Sequence, residues 1–400
     1  MSSTMTDCDT DADSDADADT DTDATAVSTD DARQLLIDLV STPSPSDEER
    51  AAAECLVEFF ETYDREVWLD DVGNVRAPAD DSVLLTSHID TVPGEIPVEV
   101  EPADEADVEA EVAEETGEDI LWGRGSVDAT GPLAAMAAAA VRTGVSFVGV
   151  VGEETNSRGA RHLVADREAP DAVVNGEPSG TTGITLGYRG FLSGTYVATS
   201  ESGHTSHPEP NAIQHATNWW TRVESAFDSD DGVGPSDRRD EAGKAGEVPV
   251  FERVTTKPVA IDGGVTDDGL SVEVTLDAQL RVPPALDIET VRETAEAELE
   301  CGTVSWAEPI PPVMESPRTE VARAFRAAIR NEDGEPRLLR KTGTSDMNLY
   351  AGAWECPMAT YGPGNSDLDH APDERLSLAE FDRSVAVLSR VAMTLTGGED

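Results

Sequence analysis

Apolar residues recur along this chain with two periods, and the switches between them mark its elements. Helical spacing begins near Asp31, where Ala32, Leu35, Leu36 and Leu39 share a stripe that stops at Ser41-Thr-Pro-Ser-Pro45. A second amphipathic helix is predicted from Asp47, carrying Ala51, Cys55, Leu56 and Phe59. Val83-Leu-Leu-Thr-Ser87 is a short apolar run, read as a buried strand that delivers His88-Ile-Asp90 at its C-terminal end. Residues 147–151 behave alike and end at Glu153-Glu154, as do residues 172–175, which end at Glu177. Between the first two runs lie an acidic, irregular stretch over 99–119, read as a surface loop, and an alanine-rich helix over 131–141.

The pattern then changes. Residues 190–199 alternate as an antiparallel strand does, 211–227 are helical in period, and 228–247 form a low-complexity acidic insert. Residues 271–281 alternate again, 287–299 are helical, and 304–306 can form a last strand. Strand, helix, strands, helix, strand is the order of a small α+β unit set into a larger α/β one. A helix over 318–330, short strands and loops through His370, and a closing helix over 378–395 complete the chain. The division expected is an acidic disordered tail over 1–28, a main domain in two parts (29–182 and 313–400), and an inserted domain over 183–312.

Composition narrows the function. Asp and Glu number 82 against 28 Lys and Arg, a formal net charge of −54, and Lys244, Lys257 and Lys341 are the only lysines. No basic stripe exists to displace counterions from nucleic acid, and the same repulsion disfavours an anionic membrane surface. The acids are spread through the whole chain. That favours adaptation to molar salt, where repulsion is screened and charge keeps the surface soluble, over an interaction tail. Cys8, Cys55, Cys301 and Cys356 lie far apart with no Cys-x-x-Cys pair, which fits a reducing cytosol. Residues 1–26 lack the basic start and apolar core of a signal peptide. No apolar run approaches the ~20 residues of a membrane span. A cytoplasmic protein is expected.

The rare metal-capable residues fall at telling places. His88, Asp128, the Glu153-Glu154 pair and Glu177 each follow a strand-like run or an abrupt glycine-rich turn, and His370 sits in the loop-like Asp369-His-Ala-Pro-Asp373. In open α/β sheets, ligands collect at the C-terminal ends of strands. Singly these residues carry little. A lone histidine after an apolar strand is more often packed in a core, and a Glu-Glu pair in so acidic a chain is more often surface. Together, two imidazoles and three carboxylates suit zinc or cobalt, and with one carboxylate bridging they can hold two ions about 3.5–4 Å apart.

Five blocks carry a resemblance. Ser87-His-Ile-Asp-Thr-Val-Pro93, Gly123-Arg-Gly-Ser-Val-Asp128, Gly152-Glu-Glu-Thr155, Asn175-Gly-Glu-Pro178 and Gly203-His204 stand in the order and spacing of one family. With the late His370, they resemble the acetylornithine deacetylase, succinyl-diaminopimelate desuccinylase and carboxypeptidase G family, over about residues 30 to 395. The resemblance implies a hydrolase of linear amides with two divalent ions, Zn or Co, per subunit. It implies a three-layer zinc-peptidase-like catalytic domain and an inserted ferredoxin-like α+β lid that makes a homodimer. It implies His88 and Glu177 as ligands of one ion, Glu154 and His370 of the other, and Asp128 as the bridge. Glu153 takes the place of the general base, and Asp90 that of a carboxylate orienting His88. Adjacent glutamates suit this division, since one can bind metal while its neighbour takes a proton from water. His204 is implied to reach the scissile carbonyl from the partner subunit, with His207 as the alternative and an ordinary loop histidine as the plain reading. Arg281, in Gln279-Leu-Arg-Val-Pro283, is implied to clamp a substrate carboxylate, against a surface ion pair as the plain reading. His162 and His215 fall on helix faces and are given no role. Thr130 stands where many relatives have Lys, which bears on a second charge at that position and not on the ligands.

Lys341-Thr-Gly-Thr-Ser-Asp-Met-Asn348 and Tyr361-Gly-Pro-Gly-Asn365 resemble a narrower branch, the hydrolases that free lysine or ornithine from a small amino-group carrier protein. There the amino acid's α-amino group is held as an amide on the side chain of the carrier's C-terminal glutamate. The resemblance thus implies release of lysine or ornithine in lysine and arginine biosynthesis, with a small acidic carrier as partner. An acetylornithine deacetylase or a general N-acyl-amino-acid hydrolase shares every catalytic residue and is the alternative. A non-catalytic metal-dependent binder is the third reading, and it has no use for Glu153.

Overall fold

The apolar runs read as buried strands form the centre of a mixed sheet. The computed structural model describes residues 27–102, 119–206, 208–228 and 248–397. The chain opens with helices α1 (Thr29–Val40) and α2 (Arg50–Thr62), then strands β1 (Trp68–Leu69), β2 (Val75–Ala77), β3 (Asp80–His88), β4 (Glu99–Glu101) and β5 (Ile120–Trp122). Helix α3 (Thr130–Thr143), β6 (Val145–Val150), α4 (Arg158–Asp166), β7 (Val173–Gly176) and β8 (Gly183–Tyr188) follow. Next come β9 (Gly190–Glu201), α5 (Ala212–Asp228), β10 (Thr255–Val265), β11 (Ser271–Val282), α6 (Ile288–Ala297) and β12 (Thr303–Trp306). The last elements are β13 (Val313–Met314), α7 (Glu320–Asn331), β14 (Arg337–Lys341), α8 (Met347–Ala353), β15 (Met358–Thr360), β16 (Arg375–Ser377) and α9 (Leu378–Leu395). The tail over 1–26, residues 103–118 of the acidic loop, residues 229–247 of the insert, and His207 lie outside the described residues.

Among the described residues the main sheet has nine strands, ordered β1-β2-β6-β3-β7-β15-β8-β13 with β14 joined to β8. Strands β6, β3, β7 and β15 run parallel, so their C-terminal ends share one edge. They are apolar on both faces because helices cover both. Val83, Leu85, Phe147 and Val174 enter a core with residues of α1, α2, α3, α7 and α9. Leu84, Val148, Val150 and Val173 enter another with Leu163 of α4 and Met347 and Tyr350 of α8. The result is a three-layer α/β sandwich. Helix α3 can lie buried in it from Thr130 to Ala140 because its residues from Ala134 to Ala140 are alanines apart from Met136.

The second sheet is antiparallel, ordered β10-β11-β9-β12. In β11 Val272, Val274, Leu276, Ala278, Leu280 and Val282 point into a core with Trp219 of α5 and Val291 of α6. Trp219 stacks on Tyr196 with ring centroids 4.9 Å apart, and its indole N–H donates to Ala295 O at 3.0 Å. Strand β10 was not expected from the sequence. Its residues are exposed on both faces, so no apolar alternation marks it.

Helix α4 fastens the main sheet to its open edge. Gly159 N donates to Val151 O at 2.9 Å, and the Asn74 side chain bridges Val151 N and Gly159 O at 3.1 Å each. A Cβ at Gly159 would lie 2.4 Å from Asn74 Oδ1 and 2.5 Å from Val151 N. Alanine is favoured over glycine in a helix by about 1 kcal/mol. Here the overpacking, about 1–3 kcal/mol, should outweigh that preference. Gly159→Ala is therefore expected to lower the urea midpoint in molar salt, and an unchanged or higher midpoint would contradict this packing.

Candidate metal centre

The shared strand edge gathers the singled-out residues. His88 ends β3, Glu153 and Glu154 follow β6, and Glu177 follows β7. His88 is buried; its Nδ1 lies 2.8 Å from the backbone carbonyl of Asp90, which fixes the ring and turns Nε2 towards Asp128 Oδ1 at 3.2 Å. His370 arrives from the loop before β16. Its Nε2 lies 3.2 Å from Asp128 Oδ2 and 3.1 Å from Glu154 Oε2. Each histidine thus faces a different oxygen of Asp128.

Two groups of ligand atoms result: His88, Asp128 and Glu177, and Asp128, Glu154 and His370, each with its atoms within 4.8 Å of one another. Ligand atoms about 2.0 Å from a tetrahedral zinc ion lie about 3.3 Å apart. The separations of 3.1–3.2 Å between imidazole nitrogens and carboxylate oxygens match that spacing. The charges tell the same story. Burial, with Asp128 added and His88 opposing, pushes Glu177 up to about 8 and raises Glu154. His370 is pushed up to about 9, chiefly by its hydrogen bond to Asp128, against burial. Burial opposes protonation of His88, yet Asp128 and the surrounding glutamates raise it well above the usual imidazole range. Two divalent cations would offset the same excess of negative charge. The donor set fits such a pair.

Glu153 belongs to neither group. Its backbone N–H donates to Asp90 Oδ1 at 3.0 Å, and among the described residues nothing hydrogen bonds to its carboxyl. Burial, then Glu177, raises that carboxyl well above the usual range. Asp90 sits differently from the expectation. Its carboxylate is 3.7 Å from His88 Nδ1 and instead accepts from Glu153 N, from Glu154 N at 3.1 Å and from Ser46 Oγ at 2.7 Å. Its carbonyl, rather than its carboxylate, meets the histidine.

Sequence reasoning missed Glu374. Fully buried, it accepts from the backbone N–H groups of Gly125, Val127 and Asp128 at 2.9–3.1 Å and pairs with Arg124 at 2.8 Å. It shapes the turn that presents Asp128. Its position four residues after His370 was the available signal, in a chain where one more acid draws no notice. Asp346 was also missed. It is buried, with Oδ1 lacking a partner, and burial pushes it up to about 7. Thr130 is buried at the start of α3, with its N–H bonded to Gly125 O at 2.9 Å.

The two remaining candidates lie in the second sheet. Arg281 Nη1 donates to Thr344 Oγ1 at 3.2 Å, its guanidinium covers the Phe191 ring at 4.5 Å, and Glu153 lies within its electrostatic reach. His204 is exposed after β9, with Nδ1 2.9 Å from Ser206 Oγ, and no hydrogen bond or ion pair joins it to the carboxylate cluster.

Comparison with known proteins places this geometry. A LysW-lysine hydrolase from Deinococcus radiodurans is 38% identical over 382 residues, covering 92% of this chain and 98% of its own. A putative LysW-lysine/LysW-ornithine hydrolase from Thermococcus kodakarensis is 32% identical over 379 residues, covering 94% and 95%. The fold matches an M20 family metallo-carboxypeptidase from Sulfolobus solfataricus with a TM-score of 0.69 at 17% identity, over 91% of this chain and 99% of that one. It also matches a dinuclear metal binding peptidase of the same family from Bacillus subtilis, with a TM-score of 0.63 at 13% identity over 92% and 98%. Residues 84–394 match the family description itself, and the chain belongs to peptidase family M20/M25/M40.

Proposed function

We propose that this chain hydrolyses the amide joining the α-amino group of lysine or ornithine to the C-terminal glutamate of a LysW-type carrier, using two divalent metal ions per subunit. One observation carries the chemistry. Two ligand groups share Asp128, one histidine on each of its oxygens, beside the uncommitted carboxyl of Glu153. The substrate is supported by the relatives at 38% and 32% identity that are named for that carrier.

His88 and Glu177 would hold one ion and Glu154 and His370 the other, with Asp128 between them. Zinc or cobalt suits these nitrogen and oxygen donors, and when bound would supply Lewis acidity to the scissile carbonyl and to the attacking water. Glu153 would take a proton from the attacking water as the water's oxygen bonds to the carbonyl carbon. It would return that proton to the nitrogen as the C–N bond breaks, leaving the carrier's carboxylate and a free amino acid. Its raised affinity for protons suits both halves of that shuttle. Arg281, with one N–H on Thr344, would turn its other donors to a substrate carboxylate.

A homodimer completes the reading. Strand β10 is the outer strand of its sheet, and Val259, Ile261 and Val265 on it are 52%, 54% and 63% exposed. A long edge of this kind is normally covered, charged or paired. Pairing two copies there would let His204 serve the neighbouring subunit's site. The acid excess would be adaptation to molar salt, and the free thiols of Cys55, Cys301 and Cys356 suit the cytoplasm.

In molar salt, kcat/KM should be higher for carrier-linked ornithine or lysine than for acetylornithine, and the reverse preference would assign the chain to the deacetylase reading. Glu153→Gln is expected to keep its metal while kcat falls by about 10²–10⁴. Glu154→Gln should lose one ion per subunit by elemental analysis, and chelation should abolish wild-type activity until zinc or cobalt is restored. If the two variants behave alike, the division of labour between these glutamates is wrong. Sedimentation should give a dimer, and mixing His204→Ala with Glu153→Gln subunits should regain activity through one hybrid site. Silent hybrids, with mixed dimers verified, would rule out action across the interface.

A further inference from the structure

One buried carboxylate stands outside both ligand groups and yet touches the residue they share. Glu374 follows His370 by four residues, just before β16, and its side chain is fully buried. Its two oxygens meet the turn that ends at Asp128. Oε1 accepts from the backbone N–H groups of Val127 and Asp128 at 2.9 and 3.0 Å, and Oε2 from Gly125 N at 3.1 Å and Arg124 Nη1 at 2.8 Å. A turn whose N–H groups converge on one point cannot pair them within itself, and a carboxylate there makes charge-assisted bonds to all of them. The turn also has little room to adjust. Gly125 has φ 82°, and a Cβ on it would lie 2.6 Å from Thr91 Cγ2 and 2.7 Å from Thr130 Oγ1.

The segment that carries His370 is fastened at both ends. Four residues before the histidine, Ser366 Oγ donates to Pro178 O at 2.8 Å, next to Glu177. Four residues after it stands Glu374. His370 between them has φ 61°, a left-handed conformation that a non-glycine residue keeps only where its surroundings hold it. We infer that Glu374 is a positioning residue for the bridging carboxylate, so that both ions depend on it although it would bind neither. The inference rests on the two-ion reading above. Glutamine at 374 has nearly the same shape but one acceptor oxygen fewer. Whichever way its amide turned, an NH2 would face two donors: the N–H groups of Val127 and Asp128, or Gly125 N–H and Arg124. Donors set against donors push the turn out of place. The direction of Asp128's carboxylate moves with it, and one oxygen of that carboxylate faces each histidine.

Zinc binding to the full chain, stripped of metal and titrated in molar salt against a zinc buffer, follows each ion without recourse to catalysis. Glu374→Gln should weaken both ions by about 10–100-fold, the usual effect of losing a group that orients a ligand. Glu154→Gln should weaken one ion and leave the other near its wild-type affinity. Glu374→Asp, which keeps the charge on a shorter arm, should fall between wild type and Glu374→Gln at both sites. Urea midpoints of the metal-free proteins separate positioning from stability. Weakening at one site only, or a lower metal-free midpoint with unchanged affinities in the folded protein, would overturn the inference. If Glu374→Gln does not fold, Glu374→Asp decides: both ions weakened supports the inference, and either one unchanged overturns it. A wild-type chain that binds fewer than two ions would refute the two-ion reading, and the inference with it. Two ions held by wild type and unmoved in the Glu374 variants would refute the inference alone.

Discussion

The crowding of carboxylates around Asp128 is the constraint on which the rest of this structure depends. Asp128, Glu153, Glu154 and Glu177 lie together at the sheet edge, and Asp90 and Asp346 lie behind them. Two unit charges 4 Å apart repel by about 4 kcal/mol at an effective dielectric of 20. Such a cluster must therefore take up protons or cations. Burial and this crowding raise Glu177 to about 8 and Asp346 to about 7, and the carboxylates raise both histidines above the usual imidazole range. Two further carboxylates are used differently. Asp90 and Glu374 satisfy backbone N–H groups, and so hold the turns on which Glu153, Glu154 and Asp128 sit. The same residue type thus stands in the candidate metal groups, beside them with a free carboxyl, and behind them as a brace, separated only by what each oxygen meets.

Against that excess of acid, the placing of cations becomes informative. Arginine has nearly replaced lysine, and a planar guanidinium can grip a carboxylate with two donors at once. Arg33 does so on Asp382 through Nε and Nη2, while Arg158 reaches both oxygens of Glu49 from one Nη2, at 2.8 Å each. Arg76 holds Asp70 at 2.7 Å with both side chains buried. The first two pairs tie distant segments together: Glu49, at the start of α2, is held beside the turn that carries Glu153. Cations committed in this way are structural. Others serve structure without an acid: Arg65 bonds to the carbonyls of Ala140 and Val145 at 2.8 and 2.9 Å, and Arg189 to those of Thr342 and Val250 at 2.9 and 3.2 Å.

How legible the molecule is depends on how each residue earns its place. Strands β3, β6 and β7 could be read because burial on both faces leaves an unbroken apolar run, and α9 because its stripe is long and regular. Strand β10 could not, since both of its faces are exposed and its register is set by β11 rather than by its own pattern. His88 and the Glu153-Glu154 pair stood out by following strands, and His370 only through the resemblance. Glu374 and Asp346 did not, because in so acidic a chain only their burial distinguishes them. For Asp90, spacing placed the residue next to His88, but which of its oxygens would do the orienting depends on the turn after β6, and only the fold supplies that.

The stretch from Lys341 to Asn348, legible only as a resemblance, acquires a physical reason. Two crossings join the sheets, one through Arg189 and one through residues 310–312, and they lie side by side, with Phe191 N bonded to Ile310 O at 2.8 Å and Ile310 N to Phe191 O at 2.9 Å. Asn348 binds both, donating to Arg189 O at 3.2 Å and Pro311 O at 2.7 Å. Thr342 and Thr344 accept from Arg189 and Arg281, while Lys341 reaches Pro178 O, next to Glu177. One loop therefore holds both crossings, the second sheet and the turn that carries Glu177, through side chains as plain as threonine and asparagine.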